Sequence, residues 1–109
     1  MKVKLLLKYL EYAALSHLKS KDYKVLLYIL PELIEKPSVK INQNNIANEL
    51  GISKSEVSKG LKRLEYAEII SFVWLSKRKK TVQLEDYTID ELDEMITEKM
   101  ENNVFLSEE

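Results

Sequence analysis

The sequence of 109 residues contains no cysteine, one histidine, two glycines and two prolines. The absence of cysteine excludes disulfides, thiolate zinc sites, iron–sulfur clusters and cysteine nucleophiles. His17 lies in an apolar segment without the neighbours that a metal site or a catalytic triad needs, so it is expected to pack in the core or an interface. Because glycine and proline are scarce, a sandwich or barrel with many hairpins is not expected. The sequence predicts no metal and no cofactor.

Motifs of common enzyme classes are also missing. There is no GxxxxGK phosphate loop, no HExxH metal motif and no GxSxG elbow. Carboxylates are frequent between Glu85 and Glu94, but successive helical positions point around the axis instead of converging on a magnesium ion. We therefore expect a protein that is not an enzyme.

Hydrophobic residues make up 45% of the chain and charged residues 32%, which is typical of one soluble, helix-rich domain. No uninterrupted run approaches the roughly 18 apolar residues that a membrane-spanning helix needs. Lys8 and Glu11 interrupt the first apolar run before it reaches the length of a signal peptide. The sequence predicts a cytoplasmic protein that does not associate with membranes.

The formal net charge of −1 conceals a separation of charge along the chain. Residues 1–80 carry 16 Lys and Arg against 8 Asp and Glu, whereas residues 81–109 carry one lysine against ten acidic residues. A basic body with an acidic end suggests a polyanionic partner. The alternative is a pair of solvated faces of opposite sign.

Both ends of the chain are predicted to be helical and to pair two copies. From Val3 to Leu18, 11 of 16 residues are apolar, too many for one stripe facing one core. A second chain is the simplest cover, and a central helix or a partial strand is the alternative. Thr88 and Glu91 form a capping box for a last helix, with fraying expected from Asn102. The residues predicted at this homodimer interface are Leu6, Leu7, Leu10, Ala14, Met95 and Ile96.

Between these ends, the pattern predicts two further helices joined by a tight turn. Asn42 can cap a short helix, and Gly51 suits the left-handed residue after its end. Ser53 and Glu56 read as a capping box that opens a helix running to about Tyr66. Together they predict a helix-turn-helix. A helix before them starts at Ser20 or Asp22, with Pro31 expected to kink or restart it, and Val39–Ile41 is a short edge strand.

The helix after Ser53 has one apolar and one basic face. At 100° per residue, Val57, Leu61 and Leu64 fall together and are predicted to be buried. The opposite face has no carboxylate, and Tyr66 is expected to pack near the helix end. The residues predicted to contact DNA from this helix are Lys54, Ser55, Ser58, Lys59, Lys62 and Arg63. At the start of the preceding helix, phosphate contacts are predicted for Gln43, Asn44 and Asn45, with simple capping as the alternative.

Two β-prone segments, Ile69–Leu75 and Thr81–Leu84, flank four consecutive cations and predict a hairpin with a basic tip. Like charges repel one another, so four adjacent cations favour a polyanion ligand over a solvated tip. The residues predicted to lie on phosphates or in the minor groove are Lys77, Arg78, Lys79 and Lys80.

The segment from Gln43 to Ser58 resembles the reader unit of winged-helix DNA-binding proteins, particularly those of the MarR type. Ala47, Gly51 and Val57 stand where that motif has a small residue, a turn glycine and a buried aliphatic residue. The resemblance covers residues 22–84, although the family's usual glycine near Ala67 is missing. Small winged-helix proteins of archaeal plasmids and viruses are similar in size and plan.

This resemblance implies a mainly α (α+β) winged helix-turn-helix with flanking helices. The expected organisation is an apolar helix over residues 1–18, a DNA-binding domain over 19–84, and an acidic helix with a frayed tail over 85–109. The predicted function is that of a homodimeric regulator of transcription that binds double-stranded DNA. The alternatives are an accessory protein of plasmid or viral replication or partition, and a protein-binding module. MarR-like proteins often bind a small-molecule effector, and no residue here identifies one.

Overall fold

The computed structural model describes residues 2–107, and the side chains of residues 3–102. Five helices and three strands follow in the order α1 (Lys2–Ala14), α2 (Ser20–Glu35), β1 (Val39–Lys40), α3 (Gln43–Leu50), α4 (Lys54–Tyr66), β2 (Ile70–Trp74), β3 (Lys80–Leu84) and α5 (Ile89–Ser107). The strands form one antiparallel sheet in the order β1-β3-β2. A helix-turn-helix followed by a hairpin wing confirms the predicted fold class, a winged helix-turn-helix with flanking helices.

The chain divides into two compact units. The first unit combines residues 1–17 with 86–109 and contains α1 and α5. The second unit comprises residues 18–85 and contains the helix-turn-helix and the sheet. The two terminal segments of the sequence therefore belong to one unit.

In the second unit, α2 packs against α4 around a glycine. Val57, Leu61 and Leu64 are buried, as the helical periodicity predicts. A Cβ atom built on Gly60 would lie 3.3 Å from Asp22 Oδ1 and 3.5 Å from Val25 Cγ2. The missing side chain thus allows the two helices to approach each other closely.

The predicted caps of the helix-turn-helix are confirmed. Asn42 Oδ1 accepts a hydrogen bond of 3.0 Å from the Asn45 backbone N–H, and Gly51 is left-handed with φ 67°. At the start of α4, Ser53 Oγ accepts from the Glu56 N–H at 3.1 Å, while Glu56 Oε1 accepts from the Ser53 N–H at 3.0 Å. Each signal acts within four residues, which explains why the sequence alone predicts it.

Two predicted features of the other helices are wrong. α1 ends at Ala14 and not at Leu18, because the following backbone tightens into a turn in which Ser16 Oγ donates to the Tyr12 carbonyl at 3.0 Å. α2 continues through Pro31, so the predicted restart is wrong, while the predicted kink stays a prediction. Pro31 lies on the exposed side of the helix, where water can satisfy a carbonyl that loses its donor. α5 runs to Ser107, and fraying from Asn102 stays a prediction.

The turn from α4 into β2 uses a residue that rarely takes this conformation. Glu68 has φ 63°, in the left-handed region that favours glycine. The turn is closed by the Ile69 N–H, which donates to the Leu64 carbonyl at 3.1 Å. The glycine that winged-helix sequences place near Ala67 is therefore replaced by a strained glutamate.

Replacement of Glu68 by glycine is expected to stabilise the protein. A left-handed conformation costs an L-residue roughly 1–2 kcal/mol, and the greater entropy of glycine in the unfolded chain offsets part of this gain, leaving about 0.5–1 kcal/mol. Urea denaturation followed by circular dichroism measures the difference. E65G, in the regular last turn of α4, is the matched control and should lower stability. If E68G is less stable than the wild-type protein, the left-handed backbone at Glu68 is not strained.

In the first unit, α1 packs against α5. Tyr9 and Tyr12 are buried, and both rings contact Tyr87, with centroid separations of 6.3 and 6.4 Å. The Lys8 ammonium pairs with the Asp93 carboxylate, and this hydrogen bond raises the pKa of Lys8. These contacts fix the pairing of the two helices.

The residues predicted at a dimer interface differ in exposure. Leu7 is 57% exposed and Ala14 is also exposed, so both are accessible to a second chain. Three others are half-buried: Leu6, Leu10 and Met95. Ile96 is only 4% exposed within the single chain. Ile96 is therefore a core residue and not an interface residue, because its own chain already covers its side chain.

Candidate nucleic-acid interface

A groove of about 540 Å³ lies in the second unit, bounded by the starts of α3 and α4 and by the hairpin. Six of its lining residues were predicted as DNA contacts: Gln43, Asn44, Lys54, Arg78, Lys79 and Lys80. Lys40, Ile41, Asn42 and Leu75 complete the lining. The fold thus gathers cations from β1, α4 and the hairpin around one concave surface, although they lie up to 40 positions apart in the sequence.

Most of these cations have no anionic partner in the described part of the chain. No ion pair there involves Lys40, Lys54, Lys59, Lys62, Lys77, Arg78 or Lys79. The carboxylate of Glu56, near the start of α4, is already engaged. Its hydrogen bond with the Lys21 ammonium, together with the bonds to Ser53, lowers the pKa of Glu56 to about 2. The surface therefore keeps an uncompensated positive charge that attracts polyanions.

On α4, four of the predicted DNA contacts are exposed: Lys54, Ser55, Lys59 and Lys62. Ser58 is half-buried. Asn45 is exposed but does not line the groove, and its backbone N–H serves the cap of α3. Lys59 and Lys62 lie outside the groove lining, on the same helix whose first residue, Lys54, belongs to it.

Arg63, one of the predicted DNA contacts, already has a partner within the protein. Its Nη1 donates to Asp22 Oδ1 at 3.1 Å, and Asp22 is fully buried. The other carboxylate oxygen of Asp22 accepts from the Lys19 N–H at 2.9 Å and so caps α2. The guanidinium thus holds α4 against α2, and a DNA contact of Arg63 stays a prediction.

The hairpin presents its cations at a short tip. Leu75 N–H donates to the Lys79 carbonyl at 2.8 Å, and Ser76 Oγ accepts from the Lys79 N–H at 3.2 Å. Lys77, Arg78 and Lys79 are exposed. Lys80 belongs to β3 and not to the tip, and its ammonium lies 4.3 Å from the centroid of the Phe72 ring. The tip thus has three exposed cations rather than four.

The structure adds three residues that sequence analysis missed or placed wrongly. Lys40 lines the groove from β1, and only the strand order reveals this position. Tyr66 was expected to pack but is 90% exposed at the end of α4. Trp74 is 61% exposed just before the hairpin tip, where its adjacency to four cations was the available signal. His17 is exposed in the single chain, so a place in the core is wrong, while a place in an interface stays a prediction.

The described residues contain no group of three or more His, Cys, Asp or Glu side chains arranged to hold a metal ion. Within the same range, every helix is too short or too polar to cross a membrane. The cytoplasmic location stays a prediction.

No protein-family model matches the sequence, and neither does any curated protein. Among solved structures, the chain is similar to RV1404 from Mycobacterium tuberculosis, with a TM-score of 0.51 and 18% identity over 89% of this chain and 63% of that chain. It is also similar to the PcaV transcriptional regulator from Streptomyces coelicolor, crystallised with its natural ligand, with a TM-score of 0.47 and 20% identity over 93% of this chain and 71% of that one. The chain spans less than two thirds of RV1404, and the likeness to RV1404 concerns the fold alone.

Proposed function

We propose that this protein binds double-stranded DNA as a homodimeric regulator of transcription. The observation that carries the proposal is the groove in which cations from three elements converge without carboxylate partners. Phosphate contacts supply most of the affinity of DNA-binding proteins, and lysine and arginine make them. PcaV is named as a transcriptional regulator, but its similarity to this chain is too low to serve as evidence for this role.

In the proposed complex, α4 enters the major groove. A helix of about 10–12 Å diameter fits a groove about 12 Å wide. The buried face formed by Val57, Leu61 and Leu64 holds the helix on the domain, while Ser55 and Lys59 are exposed and available to base edges. The hairpin tip then contacts the backbone or the minor groove through Lys77, Arg78 and Lys79.

The proposed dimer uses the exposed apolar residues of α1 and α5. Val3, Leu7 and Met100 are all exposed in the single chain, which leaves apolar surface for a partner. A twofold dimer would place two α4 helices in successive major grooves about 34 Å apart, on a palindromic site.

The salt dependence of binding tests the proposal. With about 6–10 phosphates neutralised per dimer, the logarithm of the association constant should fall against the logarithm of the salt concentration with a slope of about −5 to −9. Fluorescence anisotropy of a labelled duplex, titrated at several salt concentrations, measures this slope. A flat salt response would overturn the proposal.

One observation favours a second candidate, an accessory DNA-binding protein with little sequence preference. Arginine is the side chain that most often reads guanine, and the only arginine of α4 is paired with Asp22. The exposed residues left at the start of α4 are lysine and serine. A footprint that spreads from one site with rising protein concentration would identify this second function, whereas a fixed footprint identifies the regulator.

A further inference from the structure

The hairpin carries an exposed apolar segment directly before its basic tip. Val73, Trp74 and Leu75 are 37%, 61% and 59% exposed. Successive residues of a strand point to opposite faces, so apolar side chains stand on both faces of the hairpin at this level. One residue, Ser76, separates this segment from the cations Lys77, Arg78 and Lys79.

Trp74 has an environment suited to a stacking platform. It pairs with Lys80 across β2 and β3, and the Lys80 ammonium lies 5.2 Å from the centroid of the Trp74 ring. The same ammonium lies 4.3 Å from the Phe72 ring, two residues along the strand. This cation–π contact orients the indole from one side while most of the residue stays in solvent.

The charge of the neighbouring residues identifies the ligand class. A partner for this segment must combine a flat apolar face with dense negative charge, because the indole and the three cations lie within six residues of one another. A nucleobase offers the first and its phosphates the second. A neutral apolar partner would leave the cations desolvated without counter-charge.

We propose that Trp74 stacks on an unpaired or unstacked nucleobase, so that the protein prefers DNA that opens easily at the point the hairpin reaches. The inference rests on the proposed DNA-binding function and adds a second mode of contact to it. Trp74 can stack only on an accessible base face. In a fully paired duplex, every base face is covered by the adjacent base pairs. DNA with a local opening exposes such a face without the cost of unstacking.

The test compares a fully paired duplex with the same duplex carrying a small internal loop of unpaired thymines. We expect the looped probe to bind about tenfold more tightly, the size of effect that one base stacked on an aromatic side chain produces. W74A should lose this preference, whereas W74F should retain most of it. Trp74 is the only tryptophan, so quenching of its fluorescence by the looped probe reports the contact directly.

Tyr66→Ala is the matched control, since it removes another exposed aromatic side chain and should leave the preference intact. Equal affinity of the wild-type protein for both probes, unchanged by W74A, would overturn the stacking inference and leave duplex binding standing. Loss of the preference in Y66A would overturn the assignment to Trp74. Failure of both probes to bind, or binding insensitive to salt, would instead count against the proposed function itself.

Discussion

The double substitution of Lys54 and Arg78 by glutamine is expected to abolish most of the affinity for duplex DNA. Both residues line the groove, one from the first residue of α4 and one from the hairpin tip, and neither has an anionic partner among the described residues. Each cation lost from a phosphate contact makes the salt slope shallower by about one. The double variant loses two cations in each protomer, so the slope of a dimer should become shallower by about four. At 0.1 M salt, each contact is worth roughly eightfold, so the loss of four contacts should weaken binding by the dimer roughly four-thousandfold.

The control has the same change in net charge at a different place. Lys19 and Lys36 neither line the groove nor belong to α4, and Lys36 forms only an exposed pair with Glu32 at 3.3 Å. K19Q/K36Q should therefore retain its salt slope and nearly all of its affinity. If the two double variants weaken binding equally, net charge and not the groove explains the affinity, and the proposed interface is wrong.

Replacement of Asp22 by alanine is expected to cause the largest loss of stability. Asp22 is fully buried, caps α2 by accepting from the Lys19 N–H, and pairs with Arg63 on α4. D22A leaves a helix N-terminus uncapped and deprives a partly buried guanidinium of its carboxylate. Because Arg63 is partly exposed, we expect the free energy of unfolding to fall by only about 3 kcal/mol, which lowers Tm by more than about 10 °C.

The matched control for D22A is D93A, which also removes an aspartate from a pair with a basic side chain. The Asp93 side chain is about half exposed and the side chain of its partner Lys8 is 25% exposed, so water reaches both groups. Exposed ion pairs contribute about 0–1 kcal/mol, so D93A should have a much smaller effect in urea denaturation. Equal losses in the two variants would show that the burial of Asp22 does not matter.

Some of the fold could be predicted because its signals are local. Asn42, Gly51 and Ser53 each act on backbone groups within a few residues, and all three take the predicted positions. The buried face of α4 follows from helical periodicity alone. The turn at Glu68 is the exception, since a glutamate gives no signal for a left-handed conformation that the packing of α4 and β2 imposes.

The candidate interface was only partly visible in the sequence. Runs of cations identify basic segments, but they do not show which cations are already engaged. Arg63 is paired with a residue 41 positions away, and Lys80 lies over aromatic rings. Lys40 enters the groove only because β1 lies beside β3. Such contacts depend on long-range pairing, which no local pattern encodes.

The sequence by itself determined the helix-turn-helix, the hairpin and the separation of basic from acidic residues, since each depends on neighbours along the chain. The tertiary structure decided which charged groups remain available. It buries Asp22 and Ile96, engages Arg63, and leaves Lys54 and Arg78 on one surface. The physical reason is that a charge acts according to its distance from other charges and from water, and folding sets both distances.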